Sequence, residues 1–382
     1  MTELDEADLG GQGSASTLEL FFDLVFVFTI TQLTHSFSVA PSWKTAGEVS
    51  LIFMIAWWMY SGYVWLTNEI APSTTGRRSA LMVGMFGFFI VALAVPDAVE
   101  GRGLVFGWAF LGVTLIHGLL FRVSGGPSSA QAVMQILPLN LGASLLVVAG
   151  GYASSPLSYL LWATAVLVLI IGPSRRSRSV DGFVVRPGHY SERHGGVLII
   201  AIGESIVAIG ASLAGMEMDL AFFIDVGLGL AICYVLWWSF FGVDDEQGRH
   251  ALESLPVVQR NRPALLAYGY AFVPMLLGVL FTAAGLGMTI SHSGSHASWP
   301  QAVALSGGVA LYMMGQTLFR IVLRLPRPWT RLLAAAIAAF TIPIGVYGGV
   351  WMQLVSILIF VYAIIIADDV IGVRAGQHGQ YL

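Results

Sequence analysis

The sequence predicts an all-α, polytopic membrane protein with about twelve transmembrane helices in two parallel six-helix repeats. Three observations predict it. The chain of 382 residues is 56% hydrophobic and 10% charged, whereas soluble domains are roughly a quarter charged. Its apolar residues gather into runs of about 20, the length that crosses a bilayer as a helix. Landmark residues also recur in the same order in both halves.

The apolar runs give twelve spans, at 18–38, 47–67, 79–97, 103–122, 131–150, 156–172, 196–214, 220–241, 263–286, 300–322, 330–347 and 350–367. Each is bounded by Gly, Pro or charged residues. The helical reading follows from the need to satisfy backbone polar groups within lipid. The acidic first residues, MTELDEADLG, lack the basic start of a signal peptide and read as part of a disordered tail over 1–17. The first repeat is then expected over 18–172, a cytoplasmic linker over 173–195, the second repeat over 196–368 and a tail over 369–382. Cys233 is the one cysteine, which excludes an internal disulfide.

Basic residues test the span count. Lys44 is the only lysine and the other seventeen basic residues are arginines. Alternate loops hold sixteen of the eighteen, and the opposite loops hold only Lys44 and Arg102. The positive-inside rule then places both termini in the cytoplasm. The repeat rests on four matches. Trp57-Trp58 recurs as Trp237-Trp238, Arg78-Ser-Ala-Leu-Met as Arg262-Pro-Ala-Leu-Leu, Leu120-Phe-Arg-Val as Leu318-Phe-Arg-Ile, and Gly150-Gly151 as Gly348-Gly349. Six spans per half bring both halves in from the same side, so the repeats are expected to be parallel.

The first span, LELFFDLVFVFTITQLTHSF, carries Glu19 and Asp23 four residues apart, stacked on one helix face. A carboxylate in a spanning segment is costly and faces protein or water. ELFFDLVFVFTITQL resembles the opening signature of the bacterial low temperature requirement A (LtrA) family. The second block, His189-Tyr-Ser-Glu-Arg-His-Gly195 with Ile199-Ile-Ala-Ile-Gly-Glu-Ser205, resembles that family's other signature, and the likeness extends over essentially the whole chain. It implies a multi-pass protein of the bacterial cytoplasmic membrane, linked by name to growth in the cold, and supplies no reaction. The paired six-helix plan with an aromatic-Asp first helix also resembles, at the level of architecture, the two-repeat endolysosomal potassium channels.

Glu204 is expected to be the only ionisable residue of its span, beside a stripe of small residues formed by Ala201, Ser205, Ala208 and Ser212. Such stripes let membrane helices approach closely, so Glu204 should face protein. His117 lies mid-span in the fourth helix and reads as a satisfied structural group or a proton relay. His189, Glu192 and His194 do not have the spacing of a helical metal pair. Glu192 is expected to favour the start of the seventh helix, and Arg193 to sit at the cytosolic interface. Asp244-Asp-Glu-Gln-Gly-Arg-His250 reads as a solvated loop. The sequence has no convincing nucleophile motif, P-loop or dinucleotide fingerprint. It names no cofactor and no metal, and offers no nucleic-acid site.

The leading reading is a proton- or cation-linked transporter or channel-like protein with its site between the repeats. Glu204, Asp23 and Glu19 would supply intramembrane carboxylates without resident basic partners, with Ser205 and His117 on the pathway. The ligand would be a proton, a cation or a lipid. The runner-up is a membrane-embedded enzyme or lipid-interacting protein that affects bilayer composition, and the third class is a structural or regulatory membrane protein.

Overall fold

The computed structural model describes residues 15–99, 101–175, 183–290 and 294–374. The expected tails at 1–17 and 369–382 and the core of the linker at 173–195 fall partly outside those residues.

Among the described residues the chain is helical and has no strand. Its helices are α1 (Thr17–Val39), α2 (Trp43–Glu69), α3 (Thr75–Ala94), α4 (Gly103–Ser124), α5 (Pro127–Tyr152), α6 (Leu157–Arg175), α7 (Pro187–Ser212), α8 (Leu220–Phe241), α9 (Asp244–Glu253), α10 (Val257–Thr289), α11 (Trp299–Leu323), α12 (Pro328–Gly348) and α13 (Val350–Arg374). Eleven stretches are long and apolar enough to cross a membrane, α8 and α9 being counted as one, and α6 contributes the shorter apolar segment Leu157–Gly172. The multi-pass helical class is therefore as the composition predicts.

Helix ends follow local chemistry. Pro127 and Pro187 open α5 and α7, where a missing amide proton is harmless. Asp219 caps α8 by accepting from the Phe222 amide at 2.9 Å. Two helices contain π-helical turns, Leu265–Tyr270 in α10 and Val303–Gly307 in α11. The α12 helix is interrupted at Thr341, just before Pro343, which lacks the amide proton needed to continue the ladder.

The largest departure from the predicted spans is α7. It begins at Pro187, more than two turns before the expected start at 196. The block from His189 to His194 is therefore helical. Glu204 accordingly shares its helix with Glu192 and Arg193, and is not its only ionisable residue.

The chain divides into two compact units. The first contains the residues up to Ser36, Ala46–Val197 and Leu252–Leu265; the second contains Phe37–Thr45, Leu198–Ala251 and the chain from Leu266 onward. In the first unit α3 packs on α4, α4 on α5 and α5 on α6. The α4–α5 crossing is close because Gly107 has no side chain: a Cβ there would lie 2.7 Å from the Val148 Cα. In the second unit α10 packs on α11, α11 on α12, and α12 on α13. Large apolar side chains such as Phe86, Leu119 and Leu160 in the first unit, and Phe223 and Ile359 in the second, remain exposed, as suits helices solvated by lipid.

Candidate functional site

The site starts at the first turn of α1. Ser16 and Glu19 form a reciprocal capping pair: the Ser16 amide and hydroxyl donate to Glu19 Oε2 at 2.8 and 2.7 Å, and the Glu19 amide donates to Ser16 Oγ at 3.4 Å. This fixes the Glu19 carboxylate on the face that Asp23 occupies one turn later. From α7, His189 and Arg193 project inward one turn apart, while Glu192 is exposed and accepts from the Ala15 amide at 2.9 Å. Tyr60 and Thr67 complete the set from α2.

The four ionisable groups close on one another. The Arg193 Nε and Nη2 donate to the two oxygens of Asp23 at 3.1 and 2.5 Å, a bidentate pair. Its Nη1 donates to Glu19 Oε1 at 3.0 Å and to Thr67 Oγ1 at 2.9 Å. The Tyr60 hydroxyl donates to Asp23 Oδ1 at 2.6 Å. His189 Nε2 lies 3.0 Å from Glu19 Oε1 and is the donor to that carboxylate. Relative exposure is 2% at Glu19, 0% at Asp23 and 0% at Arg193. Aromatic rings seal the network: Phe26 stacks on Tyr60 at 4.1 Å between centroids, and Phe22 on Tyr63 at 5.1 Å.

This arrangement corrects two expectations. Arg193 is not at an interface, because the early start of α7 carries it into the helix and its i,i+4 relation to His189 turns it toward α1. Nor do Glu19 and Asp23 lack a resident basic partner, since Arg193 pairs with both.

The second unit holds a separate buried ionic network. Arg320 on α11 grips Asp244, its Nε lying 3.0 and 2.9 Å from the two oxygens and its Nη2 2.7 Å from Oδ1. Its Nη1 donates to Asp368 Oδ2 on α13 at 2.7 Å. Arg327 Nε donates to Asp368 Oδ1 at 2.7 Å. Arg331 is also buried, and its Nη2 donates to the Ser239 carbonyl at 3.1 Å. The expected solvated loop at 244–250 is thus a helix, α9, and Asp244 at its start is fully buried because Arg320 neutralises it. Arg193, Arg320 and Arg331, all assigned to loops by the charge count, are interior residues.

The other residues singled out in the sequence lie elsewhere. Glu204 is half-buried and belongs to the second unit, and Ser205 beside it is buried. His117 is buried in the first unit with its Nε2 3.0 Å from the Gly62 carbonyl. His194 Nδ1 donates to the Tyr190 carbonyl at 2.8 Å. Among the described residues no three His, Cys, Asp or Glu side chains are grouped to hold a metal ion. The sequence brought out Glu19, Asp23, His189 and Arg193, which the fold unites. It missed Tyr60, Thr67, Asp244, Arg320 and Asp368. Ser16-x-x-Glu19 was a local signal open to a closer reading, as a capping box.

A family model described as bacterial low temperature requirement A protein (LtrA) matches residues 14–367. An uncharacterized protein of Rhizobium meliloti (strain 1021) is 27% identical over 378 residues, covering 92% of this chain and 89% of that protein.

Proposed function

The chain belongs to the bacterial low temperature requirement A family, and from that premise we propose that it is a proton-linked transporter or channel-like protein. The observation that carries the reading is the Glu19–Asp23–Arg193 network inside membrane-spanning helices. Charged groups at that depth are costly and mark pathways and proton relays. Arg193 already fills the place that a metal or organic cation would take, so a proton is the ligand that fits the carboxylates. Protonating Asp23 removes the charge that holds the Arg193 guanidinium and weakens the link between α1 and α7. A proton binding there would be coupled to a rearrangement of those helices.

In this reading the protein lies in the bacterial cytoplasmic membrane with both termini inside, as the arginine distribution suggests. The two halves are parallel repeats. Two observations support the repeats: the four matched landmarks, and the like order of packing in α3 to α6 and α10 to α13. A cysteine at Ser298 should be labelled from outside and one at Ser177 only after permeabilisation. Support of growth in the cold is the physiological role that goes with the family's description.

The deciding experiment uses proteoliposomes that enclose a pH-sensitive dye. A potential, negative inside, is imposed with and without pooled cellular metabolites. Wild type should admit protons at least tenfold faster than empty liposomes, and Asp23→Asn should remove most of that flux. Tyr60→Phe, which keeps the pair and loses one hydrogen bond, should retain part of it. Equal flux through wild type and a monodisperse Asp23→Asn sample would sink the proposal.

A further inference from the structure

A cavity of about 80 Å³ lies wholly within the first unit. Its walls are mostly apolar, with Trp58, Trp65, Phe121 and Phe183 the aromatic members, and its polar side chains are Ser61 on α2, His117 on α4 and Asn140 on α5. His117 and Asn140 are more than nine-tenths buried, at 6% and 7% exposure. The antiparallel register of α4 and α5 places them level. Thr114 and Ser144 join hydroxyls at 2.8 Å one turn away, and Gly118 faces Leu137 on the other side.

The protonation of His117 follows from its partner. A carbonyl oxygen only accepts, so the Nε2 facing Gly62 carries the hydrogen. In the neutral ring Nδ1 then holds a lone pair, and that atom is buried without a hydrogen-bond partner. Asn140 Oδ1 is likewise buried and unpartnered. A buried acceptor left without a donor is destabilising. His117 and Asn140 thus line one cavity, and each carries a buried polar atom that has no hydrogen-bond partner.

We propose that this cavity is a binding site for a small, uncharged, hydroxyl-bearing molecule. A hydroxyl donates once and also accepts. It therefore pairs with His117 Nδ1 and with the Asn140 amide, whose N and O ends exchange by a half-turn. The apolar remainder lies against the walls. A cation or carboxylate is disfavoured because no residue lining the cavity carries a countercharge. An apolar pocket with a few convergent polar groups is the usual design of a small-molecule site. The volume suits a short-chain alcohol, and the same chemistry belongs to the hydroxyl end of a longer apolar molecule.

The test is ligand-observed fluorine NMR on the full chain in nanodiscs, with trifluoroethanol as the probe. Its methyl ether, which lacks the donor, is the comparison. Wild type should broaden the alcohol at least threefold more than the ether. Asn140→Leu and Asn140→Ala should each erase that difference, and Val133→Phe, which fills the cavity, should remove binding of both probes. Displacement of the probe by propanol but not hexanol assigns the site to short alcohols; displacement by both assigns it to the hydroxyl end of a longer molecule. Equal broadening by alcohol and ether would overturn the proposal. So would an undiminished alcohol preference in whichever Asn140 variant elutes as a monodisperse protein. Absence of broadening by either probe in wild type would overturn it as well.

Discussion

Each unit buries an ionic network, and the two are built on opposite principles. In the first unit one arginine serves two carboxylates. Nε, Nη1 and Nη2 of Arg193 all donate, and every oxygen of Glu19 and Asp23 accepts. In the second unit three arginines surround Asp244 and Asp368, and the load is shared unevenly. Arg320 makes the short contacts, whereas Arg331 stands 3.9 Å from Asp244 and 3.5 Å from Asp368, and its Nε and Nη1 have no hydrogen-bond partner. The first network has no second arginine. The second tolerates loss, because a carboxylate that loses one cation still faces another.

The contrast is sharpest at the two arginines. Arg193→Met leaves two adjacent carboxylates buried without their arginine, and should destabilise the protein by about 3–5 kcal/mol. A large fall in melting temperature in detergent, or failure to purify as a monodisperse species, is the expected result. Combining it with Glu19→Leu and Asp23→Leu removes the stranded charges and should recover most of the loss. Without that recovery, the damage would come from packing and not from charge.

Asp244→Asn is expected to have an intermediate effect, about 1–3 kcal/mol. It weakens the grip on Arg320, which keeps Asp368. Arg331→Met should change stability by no more than about 1 kcal/mol, since two of its donors already lack partners. If Arg193→Met and Arg331→Met lower the melting temperature equally, the distinction between a closed and a redundant network is wrong. The smallest effect belongs to Glu192→Gln, within about 0.5 kcal/mol. Among the described residues its exposed side chain accepts one hydrogen bond, from the Ala15 amide, and an amide oxygen preserves it.

The helical class and nearly all the spans were legible because lipid imposes length and apolarity on every crossing segment. The stacking of Glu19 on Asp23 was legible for a similar reason, since four residues make one turn. The start of α7 was not. Averaged hydropathy reads PGHYSERHG as a linker, although most of its polar side chains turn inward and only a distant partner reveals this. Arg193 and Asp23 lie 170 residues apart, and Asp244 and Arg320 lie 76 apart. A single sequence carries no mark that joins such pairs. Pro187, a favoured first helical residue, was the local hint that the helix begins early. The cavity at His117 was equally hidden, since its walls come from α2, α4, α5, α10 and the segment at Phe183.

The 170-residue separation of Asp23 and Arg193 also sets a schedule for biosynthesis. At about 5–20 residues per second, α1 emerges from the ribosome roughly 10 to 30 s before the guanidinium that neutralises it. During that interval the leading helix carries two carboxylates and no cation of its own. Tyr60 arrives first, on α2, and brings a hydrogen bond without a charge. The insertion machinery therefore receives α1 as a marginal client, secured in place only when α7 is delivered. A ribosome stalled before Arg193 should leave a nascent chain whose first helix is retained in the translocon or exposed to membrane proteases.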